Sequence, residues 1–176
     1  LIQGTGMRAA AKSLRAGLVL MMALLLLAAL GAALASTPEK SDVRVLIDIS
    51  GSMRQNDPEN LRRPALRMLA GLLQPGTRAG VWTFARWVNN LAPVAEVDAD
   101  WKKRIQSLSK QIASPGQFTN IEEVLEKASA DWVGEPLTHA RHLVLLTDGM
   151  VDVSRQPGDN ESSRARILDV LLPRLQ

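Results

Sequence analysis

From Val43 onward the apolar residues follow two rhythms, short unbroken runs and stretches that repeat every three to four positions. Residues 43–49 (VRVLIDI) and 142–147 (HLVLLT) become aliphatic on both faces, as a strand buried inside a parallel sheet does. Residues 79–85 (AGVWTFA) predict another strand. A further one is predicted at 91–97 (LAPVAEV), where Pro93 points to a sheet edge because it has no N–H to offer a neighbour. Helical spacing covers 60–73, 100–112, 120–132 and 162–175. Pro64 fits the first of these helices only in its opening turn, and Pro75-Gly76 stops it. Asn120 with Glu123 resembles a capping box at the third. In the last, Ile167, Leu168, Val170, Leu171 and Leu172 are expected to face inward. The order strand, helix, strand, strand, helix, helix, strand, helix predicts an α/β sheet with parallel central strands. Ligands of such sheets gather at the carboxyl ends of the strands.

The amino-terminal end reads differently. Residues 16–35 (AGLVLMMALLLLAALGAALA) form an uncharged apolar block behind Arg8, Lys12 and Arg15, and Ala33-Leu34-Ala35 precedes Ser36. That is the basic, apolar and small-residue pattern of a secretory signal. A retained membrane anchor is the competing reading, since about twenty apolar residues just span a bilayer. Residues 1–35 are therefore expected to be a signal peptide or anchor helix, 36–42 a polar linker, and 43–176 the domain. Export follows from either reading, to the periplasm or to a membrane anchor facing outward.

Charge changes meaning once this leader is set aside. The whole chain carries a net +3, but the leader holds three basic residues and no acidic ones, leaving 18 of each sign beyond it. A nucleic-acid-binding face is not expected from that balance. Cysteine is absent, which removes disulfides and thiolate metal sites. The basic face of 100–112 (Lys102, Lys103, Arg104, Lys110) reads as a solvated helix surface. His139 and His142 precede a strand and are expected at the surface or in packing. Trp87, just past a strand, is a candidate for a partner-facing rim.

The chemistry concentrates at Asp48-Ile49-Ser50-Gly51-Ser52-Met53, where the first strand ends. A carboxylate and two hydroxyls at alternate positions give three hard oxygen donors. Such donors suit Mg²⁺, which takes oxygen ligands at about 2.0–2.1 Å and keeps some of its waters. Gly51 is expected to let the turn aim Ser50 and Ser52 the same way. Residues 114–120 (SPGQFTN) deliver Thr119 to the mouth of a helix, and Asp148 leaves the carboxyl end of the second apolar strand. If the two strands are neighbours, Asp48 and Asp148 share a rim, and two facing carboxylates call for a cation between them.

These segments, DISGSM, the threonine of FTNIEEVL and LVLLTDG, together resemble the metal-ion-dependent adhesion site of von Willebrand factor type A domains, in residue type and chain order. The resemblance runs from about Val43 to the end of the chain. It implies a Rossmann-like, mostly parallel sheet with helices on both faces. It also implies a metal site in which Ser50, Ser52 and Thr119 bind Mg²⁺ (or Mn²⁺) directly and Asp48 and Asp148 act largely through water. The open position would take an Asp or Glu carboxylate of a protein partner. Two departures stand out. The family often has paired glycines before the threonine, where this chain has Gly116-Gln117-Phe118. Its sheet also has two more strands after the last helix, so the sequence is expected to be a carboxyl-terminally truncated piece of that domain.

Three functions compete. An adhesion or assembly module, and no enzyme, is expected because no base, nucleophile or phosphate-cradling loop accompanies the motif. A phosphoryl-transfer or phospho-acceptor domain using Asp48 would need a second acidic ligand close by and a later lysine, and neither is visible. A chelatase-type assembly subunit shares the fold but works in the cytosol, against the export leader.

Overall fold

A computed structural model describes residues 41–134 and 139–175. The expected signal or anchor helix and most of the expected linker lie outside the described residues. Among those described, no helix is long and apolar enough to cross a membrane.

Four strands make one mixed sheet: β1 (Ser41–Asp48), β2 (Arg78–Phe84), β3 (Val88–Glu96) and β4 (Ala140–Leu146), in the order β3-β2-β1-β4. Strand β1 pairs in parallel with both β2 and β4, while β2 and β3 form an antiparallel pair. Pro93 is accordingly on an edge strand. Against the expectation of a strand buried on both faces, β4 is an edge strand too, and its residues are half-buried or exposed because only β1 pairs with it among the described residues. Helices α1 (Met53–Asn56), α2 (Arg62–Leu72), α3 (Ala99–Leu108), α4 (Ile121–Ser129), α5 (Pro157–Arg166) and α6 (Leu172–Leu175) connect and follow the strands. One face of the sheet packs Val43, Val45 and Ile47 against Leu66 and Ala70 of α2 and Trp101 and Ile105 of α3. The other packs Leu46, Trp82 and Phe84 against Ile121, Val124 and Leu125 of α4 and against Ile167 and Leu171. Helices therefore cover both faces, as expected of an α/β sheet.

Local chemistry sets the helix ends. Pro64 is the third residue of α2, where a missing N–H leaves no hydrogen bond broken. Asp98 caps α3 by accepting from the Trp101 N–H at 2.6 Å. Asn120 caps α4 by accepting from the Glu123 N–H at 3.2 Å, and its amide reaches the Glu123 carboxylate at 3.0 Å. Lys102, read as part of a solvated face, donates to the carbonyls of Gly71 and Leu73 at the end of α2.

Two further readings need correction. Of the five apolar residues expected to face inward from the last helical segment, only Ile167 and Leu171 are buried, while Leu168, Val170 and Leu172 are exposed. Residues Ile167–Leu171 form a π turn, and one stripe at i and i+4 is all that meets the sheet. The second correction is at the start of β1, which begins at Ser41, inside the stretch read as linker. Asp42 is almost fully buried because it is the counter-ion of Arg44, itself 1% exposed. The Arg44 guanidinium donates to Asp42, to both carboxylate oxygens of Asp131 at 3.1 and 2.9 Å, and to the Ala128 carbonyl. Trp82 and Trp132 flank it at 5.6 and 5.0 Å.

This network carries a pH dependence. Burial alone pushes the Asp42 carboxyl up, but the hydrogen bonds and charge of Arg44, with Trp132 and Arg78, outweigh it and hold the group below its ordinary value. A depressed folded-state value means that the stabilisation is complete above the ordinary aspartate range, about pH 4, and is lost as pH falls through the lowered value. The melting temperature is expected to be flat between about pH 5 and 8 and to fall in more acid buffer. In Asp42→Asn that acid slope is expected to be shallower. Parallel slopes in thermal melts of the two proteins would refute the assignment.

Candidate metal centre

Asp48 is the last residue of β1, level with Phe84 of β2 and one residue beyond the Ile47–Leu146 pair with β4. Three connections meet at this rim, those after β1 and after β4 and the one between α3 and α4, and backbone contacts tie them together. Gly116 N–H donates to the Ile49 carbonyl at 3.0 Å, and Ser50 bridges Gly116 in parallel. Thr119 and Asp152 exchange both backbone hydrogen bonds, at 2.6 and 3.1 Å. Asn120 N–H closes the platform on the Ala85 carbonyl at 2.9 Å.

On this platform the Ser50 and Ser52 hydroxyl oxygens stand 3.1 Å apart, and Ser52 donates to Asp148 Oδ1 at 3.2 Å. Ser50, Ser52 and Thr119 line one open cleft of about 740 Å³. Thr119 is 6% exposed, and among the described residues its hydroxyl has no hydrogen-bond partner, only its backbone being bonded. Asp48 is fully buried behind the cleft wall. Its Oδ1 accepts from the Ser50 N–H at 2.7 Å and its Oδ2 from the Thr147 hydroxyl at 2.7 Å, which in turn accepts from Gly149 N–H. Hence the two serines and Asp148 come together, Thr119 faces the cleft that the serines line, and Asp48 holds the turn from behind.

The donor set is oxygen only. Among the described residues no group of three or more His, Cys, Asp or Glu is gathered to hold a metal. The rim instead offers three hydroxyls with two carboxylates beside them. That chemistry fits a small hard cation that retains waters. His142 is exposed and far along the strand from this rim, as expected of a surface residue.

Sequence reasoning missed two residues that shape the site. Asn56 donates from Nδ2 to Asp148 Oδ2 at 2.6 Å, so both oxygens of that carboxylate are held, one by Ser52 and one by Asn56. Arg62, 5% exposed, donates to the Asp48 carbonyl, to Asp57 at 2.7 Å and to the Ser114 hydroxyl at 2.8 Å. Neither carries a spacing signal; one sits in a single-turn helix and the other reads as a surface arginine at a helix start.

Glycine roles also differ from expectation. Gly51 does not take a positive φ; a Cβ there would press on the Gly116 carbonyl at 3.2 Å, so it serves close approach of two loops. Where the resembled family often has glycine, Phe118 adopts φ 63°, a left-handed conformation that costs a non-glycine residue about 1–2 kcal/mol. The Arg86 guanidinium lies over its ring at 4.9 Å.

A model of the von Willebrand factor type A domain matches residues 43–151. Among solved structures, a von Willebrand factor type A protein from Catenulispora acidiphila superposes with a TM-score of 0.61 at 19% identity, over 74% of this chain and 32% of that one. The vWF domain of the type V pili tip protein Mfa5 from Porphyromonas gingivalis gives 0.54 at 18% identity, over 66% and 40%. Proximal thread matrix protein 1 from the mussel byssus gives 0.52 at 22% identity, over 73% and 36%. At these identities the likeness is one of fold, and this chain spans 32% to 40% of the length of the three proteins. Among curated proteins none matches.

Proposed function

Because this chain belongs to the von Willebrand factor type A domain family, we propose that it is an exported protein-interaction module whose grip on an acidic partner depends on a divalent cation. The observation that carries this reading is the linked set Ser50, Ser52 and Asp148, at 3.1 and 3.2 Å, whose two serines share one open cleft with a Thr119 hydroxyl that has no partner among the described residues. Ser50, Ser52 and Thr119 would hold Mg²⁺ (or Mn²⁺) directly, with Asp48 and Asp148 balancing its charge. The bound ion would supply a Lewis-acid contact for an Asp or Glu side chain of the partner. The presence of the fold in a pilus tip protein and a byssus matrix protein supports an adhesive or assembly role outside the cell. The leader pattern of residues 1–35 supports export.

Asp48 is badly placed to be a phosphoryl acceptor. It is fully buried, and each carboxylate oxygen already accepts a short hydrogen bond. A nucleophile needs an exposed lone pair aimed at its substrate.

Asp148→Ala is expected to weaken Mg²⁺ binding about 10- to 100-fold, the range for losing a group that acts on a metal through its neighbours. The fold should survive, since Asp148 is not in either core cluster. Titration calorimetry with Mg²⁺ and far-UV circular dichroism give the two readouts. Equal Mg²⁺ heats for variant and parent would overturn the proposal.

A further inference from the structure

The surface around the cleft is not neutral. Arg54 and Arg155 line it, and Arg86 lines an adjoining hollow of about 300 Å³ that shares Gln117 with it. All three are exposed, and among the described residues none of them has a carboxylate partner. Arg86 is also pre-positioned. Its guanidinium lies over Phe118 at 4.9 Å and over Trp87 at 5.9 Å, so two rings fix it while the side chain stays exposed. Trp87 beside it is 70% exposed. A guanidinium stacked on aromatic faces keeps its N–H edge free for a bidentate carboxylate, and having its orientation already set lowers the entropy lost on pairing.

We infer that the partner segment is a short acidic stretch with two carboxylates, one directed to the cation and the second received by Arg86. Arg54 and Arg155 offset the charge of Asp152, which lines the same cleft, and so lower the repulsion of such a segment. The inference rests on the cation-dependent reading above and names the partner's chemistry more closely.

Fluorescein-labelled, carboxyl-amidated peptides test it: GGEGGG with one side-chain carboxylate, and GGEEGG and GGEGEG with two. Anisotropy titrations use the full chain with saturating Mg²⁺ or with EDTA. The better two-carboxylate peptide is expected to bind about fivefold more tightly than GGEGGG, as one more partly exposed charge pair allows. Arg86→Gln is expected to bring that ratio to about one. The ratio is the readout because any slip of Phe118 would weaken all three peptides alike. Equal affinities in the parent, or a preference that survives Arg86→Gln, overturn the inference. A Mg²⁺-dependent grip on GGEGGG without such a preference leaves the cation-dependent reading standing. Binding that ignores Mg²⁺, or no binding by any peptide, removes both.

Discussion

Gly116→Ala is expected to cost about 1–3 kcal/mol of stability, as overpacking does, and to weaken Mg²⁺ binding about 100-fold, as much as the loss of a supporting metal-site residue. A Cβ on residue 116 would stand 2.2 Å from the Ala85 Cβ and 2.9 Å from the Ile49 carbonyl oxygen. Neither neighbour can yield cheaply. Ala85 is buried, and its carbonyl accepts from Asn120 N–H. Ile49 is tied to the Phe84 carbonyl at 2.8 Å on one side and to Gly116 N–H on the other. The loop must therefore back away from β1, which breaks the Ser50–Gly116 bridge and carries Thr119, three residues on, out of the cleft. Gly149→Ala is the control. It adjoins Asp148, yet a Cβ there meets nothing within 4 Å and should change neither quantity. Urea unfolding and Mg²⁺ calorimetry on the two variants decide the matter. Native-like cation affinity in Gly116→Ala would mean that the loop approach is irrelevant to the site.

The strand ends of this site were legible because they obey a short-range rule. The unbroken apolar run of β1 marks a buried parallel strand, and the carboxylate after it emerges at the rim as Asp48. The run of β4 pairs in parallel too, and Asp148 follows it, but that strand lies at the sheet edge with its residues half-buried or exposed. Pro93 likewise announced an edge strand, and the α/β class followed from element order. Thr119 was legible from its turn-rich loop at the mouth of a helix, and the resemblance added only its role as a direct ligand. What could not be read depends on partners distant in the chain. Asp42 looked like linker because its burial exists only opposite Arg44, Trp132 and Arg78. The face of the final helix was misjudged because a π turn shifts its register. Asn56 and Arg62 were missed for the same reason as Asp42: their roles are hydrogen bonds to residues 92 and 52 positions away, to Asp148 and Ser114.

Arg62→Ala is expected to be more damaging still, at about 3–5 kcal/mol, the range for deleting one member of a buried charged pair. The guanidinium joins three segments: the Asp48 carbonyl at the end of β1, the Asp57 carboxylate before α2, and the Ser114 hydroxyl in the loop that leads to Thr119. Arg54, Asn60 and Arg63 pin the same loop through the Ser114 and Ile112 carbonyls, but those bonds hold its outer edge and do not reach β1. Asp57 registers the arrangement. Burial raises its carboxyl, yet the Leu61 and Arg62 backbone N–H groups and the Arg62 side chain hold it below its ordinary value. Without the guanidinium, Asp57 keeps the burial and loses the cation. Arg62→Lys separates charge from shape. An ammonium can neutralise Asp57, but it lacks the planar fork that spans Asp48, Asp57 and Ser114 at once. The lysine variant should therefore recover much of the stability in urea while binding Mg²⁺ about tenfold more weakly than the parent, as loss of a supporting group does. If lysine restored cation affinity together with stability, positive charge alone would account for Arg62, and its bridging of the three loops would have no bearing on the site.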